Sequence, residues 1–424
     1  METTSDSSSI KDAGGEGVLL ADGSVHPGWK TTFASTVGMM LGPSPILLFS
    51  FGTFVAPLNK EFGWSVASIS IGAMLITLML VVCSVIQGWA VDRFGPRRLI
   101  LTSIPCFGLA VAAMYWMTSS IVLFYVALVL ASFCAVGVWP IAYNKAIAGW
   151  FDRRLGLSLG LGNAGVGFGA ALLPALSSYI IAQHGWRSAY LVLGILAVVV
   201  VWPVVFALLK KAPTDLGGAK ARPGASQAES GLTFSEARKT RSFVLVLVGF
   251  LLLGLISSSM VIHQIAIQAD LGMTLAQATA MQSALGLALI VGRIGTGWLL
   301  DRVHASVVLV GMCVAASIAL LLLYAGAPFG TAPLCAILLG LVIGAEFDAL
   351  GYLIPRYFGQ KSFGRLYAAI FASFQLFSAA AIPVVGMVKS STGSYGPALG
   401  VLAGVMIVAA FAFSRIGPYR YPTR

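Results

Sequence analysis

Four ionisable residues stand where ionisable residues are expensive. Lys145, Arg293, Glu346 and Asp348 each interrupt a long apolar run. A charge at mid-bilayer costs about 2.5–3.5 kcal/mol on insertion scales, so each needs a use. Arg293 has the chemistry of an anion anchor: a guanidinium stays charged and grips a carboxylate through two hydrogen bonds. Its other reading is a structural partner for Glu346 or Asp348. The two acids have the chemistry of proton carriers, because a desolvated carboxylate can hold a proton at physiological pH. Two positions apart on one helix, they point roughly 200° from each other, so one pocket takes only one of them. Lys145 offers a second positive charge for an anion, or a buried pair with one of those acids. Tyr143, Asn144, His263 and Gln264 add hydrogen-bonding groups that either face a substrate or serve packing.

Only apolar helices can hold such groups. A helix needs about 20 mostly apolar residues to cross a bilayer core. Twelve runs meet that requirement: 31–57, 65–91, 98–117, 120–147, 156–183, 187–209, 242–268, 274–300, 305–325, 331–355, 363–388 and 396–415. The expected class is therefore an all-α membrane protein. Lys145 is eight residues from Arg153, Arg293 eight from Asp301, Asp348 eight from Arg356 and Glu346 ten. At the helical rise these convert to roughly 12–15 Å from one boundary of a roughly 30 Å core. All four charges are thus expected in one layer near the midplane. Pro43 and Pro45 are expected to kink the first helix and Pro140 the fourth.

Composition excludes other classes. Of 424 residues 58% are hydrophobic and only 10% charged, against about 25% charged in soluble domains. The net charge of +11 does not signal nucleic acid, since the cations occupy short breaks between apolar runs. Among 26 Lys and Arg, only Lys60, Arg187 and Lys389 fall on one side of the twelve-helix layout, and only Lys145 and Arg293 lie inside it. The rest share a face with both tails, which the positive-inside rule assigns to the cytoplasm. The five cysteines are scattered, with neither disulfide nor metal-site spacing. No P-loop is present. Gly160–Gly165 satisfies GxGxxG, but lacks the preceding strand and the acid about 20 residues later that a dinucleotide needs. Gly156, Gly160, Gly165 and Gly169 instead offer small-residue steps for tight helix packing.

The chain repeats itself. G-W-A-V-D-R at 88–93 returns as G-W-L-L-D-R at 297–302, an offset of 209, and Trp186 meets Tyr395 at the same offset. Lys145 maps onto Tyr352, one turn from Asp348. If Lys145 faces a cavity then Asp348 does too, which favours Asp348 as the proton carrier and leaves Glu346 to pair across an interface, though the two roles could be exchanged. The expected organisation is a disordered tail 1–28, a six-helix bundle 29–209, a linker 210–241, a second bundle 242–415 and a tail 416–424. Two parallel repeats put a binding site between the halves near the midplane.

G-W-A-V-D-R-F-G-P-R-R at 88–98 resembles the signature loop between helices 2 and 3 of the major facilitator superfamily. The blocks at 150–165 and 292–302 are similar to the monocarboxylate porter and oxalate:formate antiporter branch. The resemblance implies a twelve-helix transporter in which the helix-8 arginine, here Arg293, binds the substrate. Read physically, the signature loop is a gate latch: Gly88 permits close helix approach, and Asp92 ends a helix where Arg93, Arg97 and Arg98 can pair with it and with lipid phosphates, a pattern repeated at Gly297, Asp301 and Arg302; its other reading is a generic basic turn. A His before an apolar triplet is similar to the monocarboxylate branch, which brings His263 and Gln264 toward the site. The expected function is proton-coupled symport of a small organic anion, a monocarboxylate, in the cell inner membrane. Rival readings are anion exchange or drug export on the same fold and, more distantly, a membrane sensor or embedded enzyme. The expected partners are the anion, a proton and the lipid bilayer, with no nucleic acid, cofactor or metal, and the chain functioning as a monomer.

Overall fold

The computed structural model describes residues 25–212, 231–326 and 330–421. The expected tails 1–28 and 416–424 and the linker 210–241 lie partly outside these residues.

Helix α1 runs in three pieces, Pro27–Met40, a π-helical Ser44–Phe49 and Phe51–Phe62. The break follows the expected prolines: the Ser50 amide reaches back five residues to the Pro45 carbonyl at 3.1 Å. Helix α2 is Val66–Phe94 and α3 is Pro96–Ala112. Helix α4 comprises Ile121–Cys134, a 3₁₀ turn Ala135–Gly137 and Pro140–Ala148, with Pro140 opening the last piece. The helical run Leu155–Leu208 has 54 residues, about 81 Å at the helical rise, far beyond one bilayer core. It is two helices. Gly185 takes φ 81° and ψ 164°, a conformation open to glycine, and separates α5 (155–184) from α6 (186–208). After a one-turn helix, Phe234–Ala237, come α7 Arg241–Asp270, α8 Leu275–Leu300, α9 Ala305–Tyr324, α10 Ala332–Phe358, α11 Phe363–Thr392 and α12 Gly396–Ser414. The protein is an all-α membrane protein of twelve transmembrane helices, arranged as two parallel six-helix repeats.

Large apolar side chains such as Leu109, Val199, Val307 and Phe411 stand exposed on the outside, as a lipid-facing surface requires. Lipid offers helices no hydrophobic gain on association, so small residues that let backbones approach decide packing. That rule builds the contact between the halves. Helix α2 packs on α11 and α5 on α8. A Cβ added at Gly88 would stand 2.9 Å from the Gly364 carbonyl carbon, and one at Gly297 would stand 2.8 Å from the Gly156 carbonyl carbon. Each seam is backbone against backbone.

Candidate functional site

Each glycine seam ends in an aspartate that crosses to the other half. Asp92, on the last turn of α2, accepts from the amides of Gly364 at 2.9 Å and Arg365 at 3.0 Å, at the start of α11. Asp301, just after α8, accepts from the amides of Gly156 at 2.7 Å and Leu157 at 2.9 Å, at the start of α5. These amides have no partner inside their own helix, and the helix dipole favours an anion there. The pair realises the sequence repeat as one contact made twice. Arg356 of α10 adds an ion pair to Asp152, and the Gln360 side chain donates to the Ala148 carbonyl at 2.9 Å. All these contacts lie on the face that carries both ends of the described chain, since the Tyr421 amide donates to the Arg356 carbonyl and His26 packs against Trp150 and Phe151 there. At the opposite face the described side-chain contacts stay within one half: Glu61 with Trp186 and Arg187, and Asp270 with Lys389 and Tyr395.

Deeper in, polar side chains of both halves form one buried layer. The Asn163 amide of α5 donates to Asp348 Oδ1 at 2.6 Å, to Asn144 Oδ1 at 3.0 Å and to the Leu159 carbonyl at 3.1 Å. Asn144 donates in turn to the Tyr367 hydroxyl at 3.2 Å. Asn144, Asn163 and Asp348 are buried. Glu346 turns the other way and accepts from the Ser257 hydroxyl of α7 at 2.8 Å. Between the two acids, Phe347 presents its ring 5.9 Å from the Arg293 guanidinium. Arg293 is buried, with no carboxylate in salt-bridge range among the described residues. Its Nε and the Asp348 Oδ2 have no hydrogen-bond partner among those residues. A buried polar atom left so costs about 1–3 kcal/mol.

A model of the Major Facilitator Superfamily matches residues 31–383. The chain belongs to the major facilitator superfamily. Monocarboxylate transporter 13 of Bos taurus is 25% identical to it over 375 residues, 86% of this chain and 83% of that one. The cis,cis-muconate transport protein of Acinetobacter baylyi is 25% identical over 287 residues, 65% of this chain and 67% of that one. Among solved structures, the proton:xylose symporter XylE bound to 6-bromo-6-deoxy-D-glucose superposes with a TM-score of 0.71 at 14% identity, covering 93% of this chain and 97% of that one. That likeness concerns the fold.

Within this major facilitator fold, several residues sit elsewhere than the sequence suggested. Lys145 does not join the midplane layer or pair with an acid of α10: its ammonium binds Asp92 Oδ1 at 2.7 Å. Counting from Arg153 overstated its depth, because α4 ends at Ala148 and a bend follows. The long lysine stem then carries the charge to the helix end. Among the described residues it is Lys145, rather than a signature arginine, that forms the ion pair with Asp92. Arg93 stacks over Trp89 at 5.3 Å. Arg97 donates to the carbonyls of Leu209 at 2.6 Å and Phe206 at 3.1 Å, closing the end of α6. Arg302 lies over the Trp298 ring at 3.8 Å. Tyr143 points into its own half, against Gly38 and a cavity of about 10 Å³ beside Ile104 and Ala197. His263 pairs with the Ile382 carbonyl at 3.1 Å and the Tyr395 hydroxyl at 3.4 Å, near the end of α7. Gln264 is buried there with neither amide atom bonded among the described residues.

Other members of the site went unread in the sequence. Asn163 sits inside the GxGxxG decoy, where its neighbours read as packing glycines. Its signal was being a polar amide in a helix otherwise apolar or small. Tyr367, Asp152 and Arg356 carry contacts between the halves that only tertiary structure reveals.

Proposed function

We propose that this major facilitator is a secondary active transporter that moves a small organic anion, a monocarboxylate, in symport with a proton by alternating access. The observation that carries the reading is Arg293: a permanent cation buried in the middle layer with no carboxylate in salt-bridge range among the described residues. A substrate carboxylate would supply the missing charge through two hydrogen bonds. Asp348 is the proton carrier, since it alone of the two acids reaches across the seam, through Asn163. Glu346, tied to Ser257, serves structure. Asn144 and Tyr367 hold the Asn163 amide in place. Lys145 belongs to the gate, with Asp92 and Asp301 as its two latches and Gly88 and Gly297 as the surfaces that let them close. Gln264 and His263 are outer-vestibule groups. The printed names of two relatives, a monocarboxylate and a muconate transporter, agree with an anionic substrate. By the charge asymmetry both termini face the cytoplasm of the cell inner membrane, so the latched state is outward-facing. No cofactor or bond-breaking step enters this cycle.

The test is uptake by purified protein in proteoliposomes, with a panel of labelled monocarboxylates, dicarboxylates and lipophilic cations, with and without a pH gradient. The reading requires monocarboxylate uptake that an inward proton gradient accelerates. Gradient-independent exchange of internal for external carboxylate would replace symport with antiport, and uptake of cations alone would overturn the anion assignment.

A further inference from the structure

The end of α10 reaches across to the N-terminal half through two side chains: the Arg356 guanidinium pairs with Asp152, and the Gln360 amide donates to the Ala148 carbonyl. Both leave from a helix terminus, where the last four carbonyls have no donor inside the helix. Two segments outside the membrane helices supply the donors. At the end of the linker the Leu232 amide donates to the Phe358 carbonyl at 2.8 Å, and beyond α12 the Tyr421 amide donates to the Arg356 carbonyl at 2.9 Å.

The second segment is fastened along its length. The chain turns at Gly417, φ 87°, a conformation open to glycine. Just before the turn, the Ile416 carbonyl accepts from the Ser242 hydroxyl of α7 at 3.1 Å; at it, the Gly417 carbonyl accepts from the Tyr357 hydroxyl of α10 at 2.8 Å. The Tyr419 hydroxyl accepts from the Ala305 amide at the start of α9 at 2.7 Å. Its ring stacks on His304 at 4.2 Å and meets the Tyr357 ring edge-on at 5.3 Å. These contacts stay within the C-terminal half, yet one of them fixes the backbone of the arginine that crosses the seam. That arginine is buried, and a buried ion pair offsets its desolvation only when its geometry is held.

We propose that residues 416–421 are a positioning strap for the closed gate. By capping α10 they hold Arg356 where its guanidinium reaches Asp152, so loosening the strap shifts the population toward the state with the tail-bearing face open. The inference rests on the alternating-access reading above, but not on the substrate or on proton coupling.

The test measures the distance between spin labels at Lys210 and Lys239, one in each half and neither in the strap, in full-length protein without substrate. Asp92→Asn is the reference that shows whether this face opens at all; no movement there refutes alternating access itself. Removing one strap hydrogen bond, by Tyr421→Pro or Tyr419→Phe, should raise the open population about threefold, and Tyr419→Ala, which also removes the ring, about tenfold. In an Arg356→Gln background the same changes should add almost nothing, because the strap acts through Arg356. Should Tyr419→Ala fail to fold, the two single-bond variants decide. Undiminished shifts in the Arg356→Gln background would make the strap an independent contact. A lowered unfolding temperature with unchanged populations would make it packing of one half. Either result overturns the proposal, as does an unmoved distance in Arg356→Gln alone while Asp92→Asn opens.

Discussion

Asn163 and Asp348 meet across the seam between the two halves at 2.6 Å, and the same amide holds Asn144. One side chain thus joins α5 to α4 and α10, so a movement of the halves apart would break its bond to Asp348.

Asp348→Asn should abolish uptake driven by a pH gradient and spare exchange of labelled for unlabelled substrate. The amide imitates the protonated acid permanently, so an empty carrier cannot release its proton, whereas exchange never asks it to. Glu346→Gln, which weakens the bond to Ser257 and removes a charge near Arg293, should lower both activities together. Counterflow and gradient-driven uptake in the same liposomes separate the two patterns. Gradient-driven uptake surviving in Asp348→Asn would move the proton elsewhere.

Arg293→Lys should raise the apparent KM for a carboxylate by about tenfold or more while the protein still inserts and folds. The charge remains, but a point charge cannot make the planar two-bond grip. Arg293→Ala should be worse and less stable, since it also leaves Glu346 and Asp348 without a nearby cation. An unchanged KM in the lysine variant would make Arg293 structural.

Asp92→Asn should shift the equilibrium toward the state with the tail-bearing face open. Hydrogen bonds to a charged group contribute about 1.5–3 kcal/mol, enough for a tenfold or greater change in population. Spin labels at Lys210 and Ser414 would report the separation of the halves. Lys145→Ala should act in the same direction, and the double variant should fall short of the sum because both changes remove one contact. Strict additivity would mean that the ion pair plays no part in the latch.

At the opposite face, the Trp186 indole and the Arg187 guanidinium hold the Glu61 carboxyl below its ordinary value of 4.5. A carboxylate lowered on folding adds stability that is complete above 4.5 and lost as pH falls through the lowered value. The site is largely exposed, so the effect should be about 1 kcal/mol at most. Thermal unfolding of Glu61→Gln should match wild type at acid pH and fall slightly below it at neutral pH. A wild-type excess that persists in acid would refute this.

How far the sequence reached can be judged from particular residues. The opposite headings of Glu346 and Asp348 follow from a spacing of two on a helix, and they bond to α7 and α5 respectively. The repeated G-W-x-x-D-R blocks announced two equivalent contacts, because helices in lipid meet where residues are small. Their partners were hidden: nothing in 88–93 names Gly364, and a main-chain amide leaves no trace in composition. Lys145 was misplaced because helical rise measures where a Cα sits, not where a flexible four-carbon stem delivers its charge. Asn163 was overlooked because its meaning depends on a helix 185 positions away.

The latches also bear on how freely the family can diverge. Asp92 and Asp301 read main-chain N–H groups, which nearly every amino acid supplies. Positions 157 and 365 can therefore drift in side-chain identity without unfastening the gate, and only proline would remove the donor. Two aspartates and two glycine seams form a fastening that side-chain changes in the buried central layer leave untouched.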